Sequence, residues 1–123
     1  MPTDMLRSLL KTKINGATVT QTQLHYEGSI TIDEEIMEKA DILPCEEVWV
    51  LNVNNGTRFI TYCIKGKRNG GAICLNGPSA RLAQVGDKIL IVCFASFSQE
   101  EAKNHKPKLV HLDENNRITK ITN

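Results

Sequence analysis

A serine directly after a glycine, Gly28-Ser29 within "HYEGSITID" (His25 to Asp33), is the first place where this chain could do chemistry. Serine carries a hydroxyl nucleophile. Glycine allows backbone angles that other residues avoid. The same pair also makes an ordinary turn, and taken alone it reads as one. Arg58, Thr61 and Tyr62 follow in "NGTRFITY", and Lys13 lies upstream. Singly, a Thr or Tyr on a strand is packing, and Arg58 or Lys13 is a solvated charge. His25 alone is a structural hydrogen-bonder, while His105 and His111 stand in polar sequence where exposure is the ordinary state. Alternation along a strand puts Arg58 and Tyr62 on one face and Thr61 on the other. A pocket using all three must wrap the strand's end, or a partner subunit must cover one side.

The elements that must position these residues are mostly strands. "GATVTQTQL" (Gly16 to Leu24) is rich in threonine and partly alternating. "EVWVLNV" (Glu47 to Val53) and "TRFITYCI" (Thr57 to Ile64) flank Asn55-Gly56, a tight-turn signal that predicts a hairpin. "GAICLN" and "DKILIVCFA" (Asp87 to Ala95) are further strands, the second apolar enough to be buried on both faces. The clear helix is "IDEEIMEKADIL", with Ile32 and Ile36 on one face. Thr31 and Glu34 fit a capping box, Asp33 is a rival cap, and Pro44 ends the helix. "SARLAQVGD" predicts a short helical turn, and Gln99 to Asn104 another helix broken by Pro107. The last stretch, about 109–123, reads as a partly ordered tail. Many short strands and few helices suggest a small β-barrel.

Bulk properties narrow the function. The 123 residues suit a single domain, and 41% hydrophobic with 24% charged residues reads as soluble and globular. A net charge of +1 and 5% aromatics give no case for nucleic acid or an anionic membrane. No run reaches membrane-span length and no signal-peptide core is evident, so a cytoplasmic protein is expected. Cys63, Cys74 and Cys93 lie in apolar runs. Together with Cys45 they form no C-x-x-C pair and have no histidine at ligand spacing, so reduced cysteines and no metal are expected.

"LHYEGS", "NGTRFITY", Asn76-Gly77 and "VGD" (Val85 to Asp87), in that order and with Lys13 upstream, resemble the pyruvoyl-dependent aspartate 1-decarboxylase family. The resemblance runs from about Met5 to about Lys108. It rests on order and spacing rather than on any one motif. It implies a mainly β fold, a six-stranded double-psi β-barrel with short helices, assembled as a homotetramer with active sites between subunits. It also implies that the precursor cuts itself between Gly28 and Ser29 into a small chain (1–28) and a large chain (29–123). The Ser29 hydroxyl would attack the Gly28 carbonyl, and β-elimination and loss of ammonia would leave a covalent pyruvoyl cofactor. That group would form a Schiff base with the substrate and act as electron sink.

The roles that the resemblance implies are specific. Ser29 becomes the pyruvoyl group and Tyr62 the proton donor. Arg58 holds a substrate carboxylate, for which a planar fork suits better than lysine. Lys13 faces the substrate carboxylates, and two cations fit a diacid such as L-aspartate. Thr61 serves both self-cleavage and substrate contact. Asn76, Gly77, Pro78 and Ser79 form a loop whose N–H groups meet the ligand, and His25 and Tyr26 shape the pocket. Asn15 replaces a common histidine, and "GPSA" replaces a common alanine run. The junction is expected in a tight exposed turn, with Thr61 near the Gly28 carbonyl. The function implied is decarboxylation of L-aspartate to β-alanine and CO2 for pantothenate. The rivals are a non-enzymatic barrel module and a pyruvoyl decarboxylase of another amino acid. A maturation factor is left open.

Overall fold

The computed structural model describes residues 5–123. Nine strands and two short helices follow in order: β1 (Leu6–Thr18), β2 (Gln21–Gln23), β3 (Ser29–Asp33), α1 (Glu34–Ala40), β4 (Glu47–Asn52), β5 (Arg58–Gly66), β6 (Ile73–Asn76), β7 (Lys88–Ser98), α2 (Gln99–Lys103), β8 (Lys108–Leu112) and β9 (Ile118–Thr122). A 3-10 turn covers Gly77–Arg81, where the sequence predicts a helical turn. The strands form one mainly antiparallel sheet in the order β2-β6-β3-β5-β4-β7-β1-β8-β9. β1 and β2 are six places apart in that order, yet only Val19 and Thr20 separate them in sequence. The sheet must therefore curl until its two sides approach. Thr20 N–H extends the β2–β6 pairing to Ile73 O at 2.9 Å, while Val19 N–H, one residue earlier, bonds Asp87 O beside β7 at 2.9 Å. This architecture is mainly β and consistent with a small barrel. It has nine hydrogen-bonded strands where the resemblance implies six.

Alternation within the strands sends one row inward. Ile14, Ile30, Ile32, Val48, Val50, Ile73, Leu75, Ile89 and Ile91 are fully buried together with Ile36 and Met37 of α1. Each such side chain contributes about 1.5–3 kcal/mol on burial. The Asn55-Gly56 hairpin forms as expected, with Trp49 opposite Ile60. β7 is buried on both faces only in part, because Phe94 is 47% exposed.

Four expectations change. β1 begins at Leu6, ten residues before the predicted strand. Register shifts at Leu10/Thr12 and Ile14/Ala17 break its alternation, and Gly16 takes φ 81 at the second. The helix starts at Glu34 rather than Ile32, and its cap is Asp33, not Thr31. The Asp33 carboxylate accepts N–H bonds from Glu35, Asn69 and Gly71, so tertiary bonds hold it at the strand-to-helix corner. The stretch from about 109 to 123, expected as a tail, holds most of β8 and all of β9. β8 pairs in parallel with β1, and Val110 and Leu112 enter the core. Finally, the Gly28–Ser29 link does not lie in an exposed turn: Ser29 opens β3 and is 1% exposed.

Candidate active site

The bend at residues 24–27 delivers the chain to Gly28 with φ 90, and Ser29 follows with φ 134. A positive φ is routine for glycine. For serine it stores strain of order 1–3 kcal/mol and persists only where the surroundings compel it. Two neighbours do so. β3 is held between β5 and β6, with Ser29 opposite Asn76 and Ile30 opposite Cys63. Below the bend sits Gly77, with φ 67. A Cβ there would stand 2.6 Å from Gly28 N and 2.7 Å from both Gly28 Cα and Tyr26 O. Only glycine lets the two backbones meet this closely.

The carbonyl and the hydroxyl of the junction are each engaged. Tyr62 Oη donates to Gly28 O at 3.0 Å. Asn76 Nδ2 donates to Ser29 Oγ at 2.9 Å and to Thr31 Oγ1 at 2.9 Å, and Cys74 Sγ donates to Asn76 Oδ1 at 3.2 Å. A donor on a carbonyl oxygen polarises it and steadies the negative charge that attack would place there. A donor on the serine oxygen leaves that group's own proton free to depart. Burial pushes the Cys74 thiol up from its ordinary pKa, so it stays protonated at neutral pH and remains a donor. Burial likewise raises Cys63 and pushes Cys93 up to about 12. The four cysteines are free, with Cys45 exposed.

The other sequence-predicted residues divide. Arg58, Ile60 and Tyr62 share the outward face of β5, and all three are exposed. Thr61 lies in the inward row, opposite Val48, and the Gly28 oxygen takes its bond from Tyr62. Pro78 is exposed with its Cδ 3.8 Å from where a Gly28 Cβ would be, and Ser79 is buried. His25 and Tyr26 are exposed beside the junction. Lys13 is half-buried on β1 and shares an outward row with Val92, Trp49 and Ile60. It is thus three strand spacings, about 14 Å along the sheet, from β5. Within one chain it is not brought to Tyr62. Asn15, also on β1, stands opposite His111 of β8. Among the described residues, no group of three or more His, Cys, Asp or Glu is placed to hold a metal, and no helix is long and apolar enough to cross a membrane. Thr31 and Cys74 were not foreseen at the site. Counting by twos from Ser29 and Asn76 reaches both, but only once the β3–β6 pairing is known.

The fold is mainly β, and its candidate site is a buried, strained Gly-Ser link with a phenol on the carbonyl and an amide on the hydroxyl. The aspartate decarboxylase family model matches residues 5–119. The chain is 57% identical over 119 residues to the aspartate 1-decarboxylase of Caldicellulosiruptor saccharolyticus, covering 97% of this chain and 93% of that one. It is 58% identical over 113 residues to that of Thermoanaerobacter pseudethanolicus (92% and 97%), and 51% over 115 residues to that of Clostridium acetobutylicum (94% and 91%). The chain belongs to the aspartate decarboxylase family.

Proposed function

We propose that this chain cuts itself between Gly28 and Ser29 and then decarboxylates L-aspartate to β-alanine and CO2, in the cytoplasm, for pantothenate biosynthesis. The observation that carries the reading is the junction itself: a positive φ at a non-glycine, with separate donors on the Gly28 oxygen and the Ser29 oxygen. Ser29 Oγ adds to the Gly28 carbonyl carbon. The C–N bond breaks, and the hydroxyl proton passes to the nitrogen. Loss of the Cα proton of residue 29 then expels the Gly28 carboxylate, and water displaces the nitrogen as ammonia. Strain relieved on opening the bond favours the first step.

The residues present fit a pyruvoyl group at position 29. That position is buried and starts a strand, and Tyr62 and Asn76 reach the atoms beside it. Once formed, such a group supplies a carbonyl that takes the substrate amine and withdraws electrons from the bond to the α-carboxylate. Arg58, exposed on the same face as Tyr62, clamps a substrate carboxylate with two parallel N–H bonds. Tyr62 holds a proton 3.0 Å from the junction and returns it to carbon after CO2 leaves. The Asn76-Gly77 loop supplies backbone N–H groups. Lys13 reaches the site from a neighbouring copy, because its own strand is too far away. The exposed apolar row of Ile60 and Phe94 beside Trp49 supports such an assembly, a homotetramer with sites between subunits.

The test is an intact-mass spectrum of the purified protein. Two chains are expected, residues 1–28 and 29–123, with the larger lighter than a free-serine chain by the mass of ammonia and blocked to Edman sequencing. Ser29→Ala should give one uncut chain without aspartate decarboxylase activity. Cutting of that variant at the same bond would sink the reading.

A further inference from the structure

Ser29 and Thr31 on β3 stand directly opposite Asn76 and Cys74 on β6. The four side chains therefore form a square on one face of the sheet, while Ile30, Ile32, Ile73 and Leu75 point to the core on the other. Asn76 is the corner that bonds to the other three, and all three of its side-chain bonds stay within the square. A carboxamide fills nearly the same space when turned over, so shape alone does not orient it. Its hydrogen-bond partners must. Ser29 and Thr31 are ambivalent, since a hydroxyl donates or accepts. Cys74 is a weak donor and a poorer acceptor, so it discriminates between carboxamide oxygen and nitrogen. With the thiol facing Oδ1, both amide hydrogens turn toward the hydroxyl oxygens.

We propose that Cys74 and Thr31 are positioning residues that hold the Asn76 carboxamide with its nitrogen toward Ser29, setting the rate of self-cleavage. The inference rests on the processing reading above. In the observed orientation one N–H stays on Ser29 Oγ as that atom loses its proton, becomes the ester oxygen and finally leaves as part of the Gly28 carboxylate. Negative charge grows on it at the last of these steps, and the N–H is already there. In the turned orientation a carbonyl oxygen would face the same atom. It would hold the serine proton in a donated bond and repel the growing charge. Thr31 supplies the second acceptor that keeps the amide nitrogen on this side. Cys74 and Asn76 are buried, which keeps water from taking the place of the thiol, while Thr31 is half-buried.

The experiment follows cleavage of freshly made precursor by intact mass, with the thermal midpoint of each variant measured alongside. Cys74→Ala and Thr31→Val each remove one bond to Asn76 and should slow cleavage about tenfold, the worth of one buried hydrogen bond. Cys74→Ser and Thr31→Ser restore a donor and an acceptor and should cut within about twofold of the parent. Cys74→Val fills the space without a donor and should match Cys74→Ala, which separates lost packing from lost orientation. In an Asn76→Ala background, Cys74→Ala should add nothing, because its effect passes through the carboxamide. Equal cutting by parent and Cys74→Ala, or undiminished slowing in the Asn76→Ala background, would overturn the inference and leave the processing reading intact. A parent chain that remains in one piece overturns both.

Discussion

Gly77→Ala should separate the folding of this protein from its processing. Gly77 has φ 67, and an added Cβ would lie 2.6 Å from Gly28 N and 2.7 Å from Gly28 Cα and Tyr26 O. Ordinary contact begins near 3.4 Å, so about 0.8 Å must be found. The atoms met are backbone, which cannot rotate aside as a flexible side chain would. The bend at residues 24–28 must move, and it carries the carbonyl that Ser29 attacks in the proposed self-cleavage. A misplacement of about 1 Å at a reacting centre costs about a hundredfold in rate. The left-handed backbone alone costs about 1–2 kcal/mol in any L-residue. Gly56→Ala is the matched control: its φ is 76, and nothing lies within 4 Å of the added atom. Both variants should lose stability, with the midpoint falling roughly 4 °C for each kcal/mol. Gly77→Ala alone should cut about a hundredfold more slowly. Thermal unfolding by circular dichroism and time-resolved intact mass read the two quantities separately. A folded Gly77→Ala protein that cuts as fast as Gly56→Ala would refute the claim that this close approach aligns the junction.

Other outcomes follow from the same geometry. Tyr62→Phe removes the donor on Gly28 O and should slow self-cleavage by about a hundredfold or more, followed by the ratio of cut to uncut chain. Arg58→Lys keeps the charge but loses the fork. The KM for aspartate should rise about tenfold in fully processed protein, with kcat less affected. Asp87 accepts from Asn52 Nδ2 and Gln84 N, which holds its carboxyl below the ordinary 3.8. A depressed folded pKa adds stability above the unfolded value and loses it as pH falls through the folded one. Urea midpoints should thus fall on acidification below about pH 4, and the deficit of Asp87→Asn should shrink there. A thiol-disulfide reagent near pH 8 should modify Cys45 quickly and the three buried cysteines only on unfolding, counted by released chromophore.

Local order was legible wherever the chain's period matched its burial. The hairpin at Asn55-Gly56, the short helix at Gln99–Lys103 and the inward row of β4 all follow from neighbours within a few residues. The separation of Thr61 from Arg58 and Tyr62 by face also came from period two alone. The residues at the junction were legible only together, since Gly28, Ser29 and Tyr62 each read alone as turn or packing and gained a role from the order and spacing of the motifs around them. Pairing decided what lay beyond. β1 hid in unpatterned sequence because two bulges reset its alternation, and register is settled against β7 rather than along the strand. β8 and β9 looked like a tail because Val110 and Leu112 are apolar anchors only once β1 and the core receive them. Asp33 read as the rival of Thr31 for the cap until Asn69 and Gly71 supplied its other donors from over thirty residues away. Cys74 passed for a core thiol. Its place opposite Thr31, with its sulfur on the Asn76 oxygen, exists only in the register of β3 on β6. Period and residue type are local properties of a chain. The partner across a strand is set by the global search for buried surface, and no window of sequence contains it.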